Sequence, residues 1–299
     1  MKKIIILYFT IIFSGISAQT KVESGYSNLK IGNSARNQAL ADFGMTGNPD
    51  VSNVSYNPAV LSILNGSQLF FSHNSWIQDV SSQSIVGNSI LYGIPFSIQV
   101  NNTMIKDIEI RTKPGELQSK FDARYFSTSF SLASKLYGNL SGGITLKYLY
   151  ENILSDESSG YAFDFGFLYT GIIPKLDLSF SLRNIGSVSE LRNISSKLPR
   201  DIRLGGNYQI DFEKITSTLN FVLGVQKYLA ENDNHIHLGA EYIYDEMVFL
   251  RVGYVSAYES HKISYGLGFS WASARLDYAY LPFDYNLGSS NTISLLYNF

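Results

Sequence analysis

From Ser67 to the last residue, Phe299, apolar residues alternate with small or polar ones in stretch after stretch. A period of two suits extended strands and does not suit helices. In one run Tyr161, Phe163, Phe165, Phe167 and Tyr169 alternate with Ala162, Asp164, Gly166, Leu168 and Thr170. In another, Ile263, Tyr265, Leu267, Phe269 and Trp271 alternate with Ser264, Gly266, Gly268 and Ser270. The chain ends on such a run, with Ile293, Leu295, Tyr297 and Phe299 on one face and Thr292, Ser294, Leu296 and Asn298 on the other. An amphipathic strand at a terminus leaves an open edge, which invites aggregation unless another strand pairs with it.

The pattern predicts about fourteen strands, near 67–74, 82–93, 95–102, 124–136, 139–151, 160–170, 175–184, 200–210, 215–227, 235–244, 248–255, 262–271, 274–281 and 291–299. A soluble sandwich and a membrane barrel both use such strands, and the connections separate the two. On these boundaries the connections 75–81, 103–123, 152–159, 185–199, 228–234, 256–261 and 282–290 are long. Those at Ile94-Pro95, Tyr137-Gly138-Asn139, Gly171 to Pro174, Asp211 to Lys214, Asp245 to Met247 and Ala272-Ser273 are short, and long alternates with short throughout. An up-and-down barrel with short periplasmic turns and long external loops requires that alternation. The expected fold is all-β: a transmembrane antiparallel barrel of about fourteen strands, residues 67–299, closed between its first and last strands.

Composition fits a chain of this kind. Charged residues are 16% and aromatic residues 14% of the sequence, with 21 Tyr and 19 Phe against 2 Trp. Mean hydropathy is near zero, as expected where only alternate residues face lipid. There is no cysteine, which excludes disulfides, thiol catalysis and Cys-ligated zinc. A net charge of −2 excludes a strongly basic nucleic-acid binder. At the start, Lys2 and Lys3 precede the apolar run Ile4 to Phe13, and small residues Ser17-Ala18 follow, which reads as a secretory signal over 1–18.

Residues 19–66 lack the alternation, with punctuation at Gly32, Gly44, Gly47-Asn48-Pro49 and Asn57-Pro58. Leu29, Ile31, Leu40, Phe43, Val54, Val60 and Leu61 make the segment too apolar for a free linker. Folding inside the lumen as a plug satisfies both properties; a surface-packed extension is the alternative. The lumen needs filling, because a fourteen-strand barrel is wider than the eight-strand size that wall side chains fill. On the inward faces the pattern places Lys147, Asp164, Asp177, Arg183, Arg203, His237, Glu241, Arg251, Arg275 and Asp277. Their mixed signs suit internal pairing and plug contacts better than an ion-selective ring. If Asp245 to Met247 forms a three-residue turn, Glu241 stands opposite Arg251.

Other chemistry is sparse. His235 and His237 share a strand face, but no third metal ligand is near them in sequence, so no metal or other cofactor is expected. No nucleophile elbow, phosphate loop or His-Glu-x-x-His motif occurs, and no enzymatic activity is expected.

Several motifs carry a family resemblance. Leu29-Lys30-Ile31-Gly32-Asn33-Ser34-Ala35-Arg36 resembles the opening of the PorV/PorQ outer-membrane proteins. Val54-Ser55-Tyr56-Asn57-Pro58-Ala59 resembles their Asn-Pro-Ala motif, shared with the wider FadL-type barrels. His73, Trp76 and Asp79 are spaced as in a family loop motif, and Arg183-Asn184-Ile185-Gly186, Leu198-Pro199 and Leu276 to Phe283 are also similar. The chain departs from the family at Asn37-Gln38-Ala39-Leu40 and at Val60, where small residues are usual. The resemblance implies a bacterial outer-membrane barrel, in contact with lipid, with Arg36, Asn57, Pro58 and Ala59 in its plug. Within PorV/PorQ it implies type IX secretion, with secretion-system proteins or exported cargo docking on external loops, chiefly 103–123, 185–199 and 282–290. Within the FadL-type group it implies instead a channel that passes a hydrophobic ligand. The specific motifs and the filled lumen favour docking.

Overall fold

The structure, a computed structural model, describes residues 25–45, 49–231 and 233–299; the expected signal segment 1–18 lies outside them. Fourteen antiparallel strands form one closed barrel. They are β1 (Gln68–Ser75), β2 (Val80–Leu91), β3 (Ile94–Ile110), β4 (Ser119–Tyr137), β5 (Leu140–Ile153), β6 (Asp156–Ile173) and β7 (Leu176–Val188). The second half comprises β8 (Asp201–Phe212), β9 (Ser217–Tyr228), β10 (Asp233–Tyr244), β11 (Val248–Val255), β12 (Ile263–Trp271), β13 (Ala274–Pro282) and β14 (Ser289–Asn298). Each strand pairs with its sequence neighbours, and β14 closes onto β1 with Leu295 opposite Phe71 and Tyr297 opposite Leu69. The terminal strand therefore has no free edge.

The alternation sorts as the period of two requires. On β6, Tyr161, Phe163, Phe165, Phe167 and Tyr169 are exposed, whereas Ala162, Asp164 and Leu168 are buried. On β14, Ile293, Leu295 and Tyr297 face outward and Thr292, Ser294 and Leu296 inward. Outward apolar side chains ring the whole barrel, a surface that water solvates poorly and lipid tails solvate well. No described helix is long and apolar enough to cross a membrane. This is the architecture of the bacterial outer-membrane barrels.

Three expectations about the connections need correction. The stretch 103–123 is mostly strand, since β3 runs to Ile110 and β4 starts at Ser119. The pairing slips between Ile105 and Ile108, where Asp107 adopts a φ of 57°. That bulge breaks the period of two, so the sequence pattern stops early although the ladder continues. The stretch 152–159 is likewise paired, with β5 and β6 joined across Leu154 and Ser155, so long and short connections do not alternate there. Above the apolar belt both faces of a strand meet water, and alternation ceases to be required. The turn expected at Ile94-Pro95 lies two residues earlier, at Tyr92-Gly93, with φ values of 51° and 81°. Both being positive, they suit the two-residue hairpin turns that match strand twist. Pro95 pairs with Ile90 near the start of β3.

The wall is uneven in height: β4 has 19 residues and β6 has 18, against 8 in β11 and 9 in β12. By the short-turn rule, Glu213 faces the periplasm and Glu190 the exterior. Single cysteines make this measurable against a cysteine-free background. Glu190→Cys should react with an impermeant maleimide on intact cells, and Glu213→Cys only after the outer membrane is breached; labelling of the second on intact cells would invert the orientation.

Candidate functional site: the filled lumen and its mouth cavity

Much of 25–45 and 49–64 is buried against inward faces of the strands. A short helix, α1 (Ala35–Ala39), is capped by the Ser34 hydroxyl, which accepts from the Asn37 amide. It lies against β11 to β14, with Ala35 and Ala39 on Ala279 and Leu281. The 3-10 turn Pro58–Ile63 packs on β3 to β6. Small wall residues make room for this approach. A Cβ on Gly143 would lie 2.5 Å from the backbone of Pro58 and Ala59, and one on Gly166 would strike the Asn57 side chain. Gly205 and Gly224 leave space in the same way for the Phe43 ring.

Buried ion pairs then fix the segment to the wall. The Arg36 guanidinium donates through Nε and Nη2 to both oxygens of Glu241, each at 2.9 Å. Glu241 also accepts from Arg251 Nε at 2.7 Å, its register partner across β10 and β11. Arg251 donates to Asp277 at 2.7 Å, Asp277 accepts from Arg275 at 2.8 Å, and Arg275 returns to the segment at Asp50. Burial alone would raise the Asp50 carboxyl, but Arg275 and Arg36 outweigh it and hold it below the ordinary carboxylate range. A second set joins Lys147 to Asp164 at 2.6 Å, and Asp201 to Arg183 at 2.6 Å and to Arg203 at 3.0 Å. Arg203 and Arg183 then donate to the segment's carbonyls at Asp42 and Ser55, at 2.8 and 3.1 Å. Signs alternate along both sets, so each charge leaving water finds an opposite neighbour.

Lys147, Asp164, Arg183, Arg203, Glu241, Arg251, Arg275 and Asp277 thus all face inward and join these sets. Asp177 shares the inward parity but lies at the barrel's end, half-buried, accepting from the Gly171 amide at 2.9 Å. Asn57 caps the turn after it and donates to the Phe167 carbonyl of β6 at 3.0 Å, and Pro58 and Ala59 are buried. His73, Trp76 and Asp79 do not form one loop site. His73 points outward from β1 and meets Gln83, Asp79 is exposed in the turn, and Trp76 packs edge-on to Phe283. His73 is on β1, which ends at Ser75, whereas Trp76 and Asp79 follow it in the connection to β2. Asp201 and Asp50 escaped notice in the sequence. Asp201 carried a signal, standing two residues before Arg203 on the same face; Asp50 lies where no periodicity operates. Asn37 and Gln38, the departures from the family pattern, are buried and bonded to Ser52 and to Gly32 and Thr292.

The segment leaves a cavity of about 330 Å³ at the end of the barrel that carries the 76–79 and 256–262 loops, the external end in the proposed orientation. Ile31, Trp76, Ile77, Val80, Ile105, Val255 and Leu281 line its sides, and Ala41, Asp42 and His237 its floor. Tyr258 and His261 also line it, as the middle of an aromatic column. The His235 and Tyr258 rings stack at 4.0 Å and 9°, Tyr258 and His261 at 4.6 Å, and His261 meets Phe283 at 5.0 Å. Burial pushes the His261 imidazole down to about 4, so the column carries no charge from it at neutral pH. Among the described residues no three His, Asp or Glu side chains converge as a metal site.

No family profile matches the sequence, and no curated protein matches it. Solved structures do match by fold. The Pseudomonas putida toluene transporter TodX superposes with a TM-score of 0.63 at 11% identity, over 89% of this chain and 97% of its own. A mutant of TodX, described as a monoaromatic hydrocarbon channel, gives 0.61 at 13% identity, over 90% and 99%. A Pseudomonas aeruginosa FadL homologue gives 0.54 at 11% identity, over 89% and 98%. At these identities the likeness is one of fold alone, a closed barrel like those of these outer-membrane proteins.

The ion pairs make a stability prediction. Glu241 stands between two buried guanidiniums, so Glu241→Leu removes the bidentate carboxylate of Arg36 and one of the two carboxylates that Arg251 meets. Its cost should reach the roughly 3–5 kcal/mol of a broken buried pair. The triple variant Arg36→Met, Glu241→Leu, Arg251→Met should lose less than Glu241→Leu alone. Urea unfolding followed by the gel shift of heat-modifiable barrels checks this, and additive losses would refute the coupling.

Proposed function

We propose that this chain is an outer-membrane conduit for small apolar molecules, which enter at the mouth cavity and pass the segment that fills the lumen. The cavity is the observation that carries this reading: about 330 Å³, walled largely by aliphatic and aromatic side chains at one end of the barrel. Pockets of this size and lining hold small ligands by burying most of their surface. The FadL-type fold supports the same direction, because a protein of that fold is a toluene transporter. The ion pairs make the lumen unsuited to an open water-filled pore, and passage therefore requires the segment to shift.

Docking of secretion partners on the external loops is the second reading. Its support is the β3–β4 hairpin, which extends as paired strand to Ile110 and Ser119 and carries the exposed pairs Glu109–Arg111 and Asp107–Lys120. The two readings locate function in different residues. Ile105→Trp projects bulk into the cavity and should slow uptake of radiolabelled toluene by cells or proteoliposomes towards the protein-free rate. Shortening 107–120 to a tight turn should leave uptake intact. Normal uptake in Ile105→Trp, together with loss of surface cargo in the shortened hairpin, would replace the conduit with a docking protein.

A further inference from the structure

Two cavities in the lumen share a wall, and that wall is a short strap of the interior segment. Asn28, Lys30, Ile31 and Gly32 line both the mouth cavity and a second, narrower cleft of about 70 Å³. The cleft lies deeper. On β2 the lining passes from Val80 at the mouth to Ser84, on β3 from Ile105 to Gln99, and on β4 from Tyr125 to Ser129. Each step leads toward the short turns at Tyr92-Gly93 and Gly138. The mouth is largely apolar, whereas Ser72, Asn74, Ser84, Gln99, Asn101 and Ser129 give the cleft a polar wall. Two residues beyond Ser84, Val86 joins the apolar core built on Val51, Val54 and Leu61. The cleft thus continues the mouth cavity along β1 to β4, above that core, and residues 28–32 stand between the two.

The strap is fastened unequally. At its inner end the Gly32 carbonyl accepts from Gln38 at 2.5 Å and the Asn33 carbonyl from Ser72 at 2.6 Å. In its middle, Lys30 Nζ donates to both oxygens of Glu231, in the β9–β10 connection, at 2.5 and 2.6 Å. The segment's pairs Arg36–Glu241 and Asp50–Arg275 are buried, but the Lys30 and Glu231 side chains are 25% and 22% exposed. Water and salt reach this pair, so it opens more readily than the buried ones. We propose that residues 28–32 are a gate between the two compartments and that Lys30–Glu231 is its latch. The proposal rests on the conduit reading and names that conduit's first moving part. A closed gate stops a ring compound, because the cleft's 70 Å³ is less than half the ~150 Å³ that holds benzene. The barrel side of the cleft is laddered strand, so the boundary that yields is the strap. The change of lining then favours onward passage, since an apolar solute is held less firmly among hydroxyls and amides than in the mouth.

The test reads gate opening separately from transport. Ser129→Cys places a single thiol in the cleft of a cysteine-free chain. N-phenylmaleimide, a neutral ring compound, should alkylate it in the folded protein in detergent only as fast as the strap opens. Glu231 lines neither cavity, so Glu231→Gln alters the latch and not the space. In the Ser129→Cys background it should raise the labelling rate about two- to fivefold, the scale of one partly exposed ion pair. High salt should accelerate labelling by a similar factor where Glu231 is present, and leave the Glu231→Gln rate unchanged. The exchange Lys30→Glu with Glu231→Lys should bring the rate back toward its starting value. Glu231→Gln should also raise uptake of radiolabelled toluene by proteoliposomes. Labelling indifferent to Glu231 and to salt would overturn the latch and leave the conduit standing. Faster labelling with protein-dependent uptake unchanged would take the strap off the transport path and overturn its assignment as the gate. Uptake at the protein-free rate in every variant, with labelling still responsive, would overturn the conduit while the latch stands. The salt response of Ser129→Cys alone decides the matter even if a further variant fails to fold, which its gel shift reveals.

Discussion

A closed sheet of fourteen strands encloses more space than its inward side chains can fill, and the remaining structure answers that constraint. The inward residues are short, mainly serine, asparagine, glycine and threonine, with a few long charged ones reaching across. Short residues alone would leave a wide aqueous bore. Instead residues 25–45 and 49–66 occupy the interior and bring apolar groups with them, so that Val51, Val54 and Leu61 form a core with Phe70, Val86 and Leu296 of the wall. Part of the hydrophobic core of this protein is therefore inside the barrel, and the outer apolar surface is left to lipid.

Filling the lumen takes inward side chains out of bulk water, and a buried charge is costly unless it is paired. The two sets of alternating charges follow from that. Neither is a simple wall-to-wall contact, since Arg36 and Asp50 of the segment close the ends of one set and carbonyls of Asp42 and Ser55 cap the other. Removal of the segment would leave Arg275, Arg183 and Arg203 short of partners. Electrostatics thus attaches the segment to the wall more specifically than its apolar packing does, because ion pairs require particular atoms to meet.

What the sequence revealed depended on where a period of two operates. Strand number, facing and the Glu241–Arg251 register were legible because the membrane forces strict alternation and because Tyr244 to Val248 admits one turn geometry. The upper hairpins were not, since water on both faces of β3 and β4 above Ile105 removes the demand for alternation, and the Asp107 bulge shifts its phase. The interior segment has no repeating period at all. Arg36 stood out by resemblance, but its partner Glu241 is 205 residues away and could be found only from the folded chain. His237 was seen as one of a histidine pair with metal-like spacing; that its Nδ1 is taken by Ala41 is a fact of packing.

The distance between Arg36 and Glu241 also bears on biogenesis. The segment precedes the whole wall in sequence, yet its ionic partners lie on β10 and β13 and its last apolar neighbours on β14. Contacts so remote in sequence form late, because the intervening chain must be ordered before they reward its closure. The interior segment is therefore unsupported until the wall is nearly complete. A barrel halted before β13 joins would expose apolar core residues such as Val54 and Leu61 to the periplasm, where an uncompleted chain presents both a sticky lining and an unpaired edge to quality control.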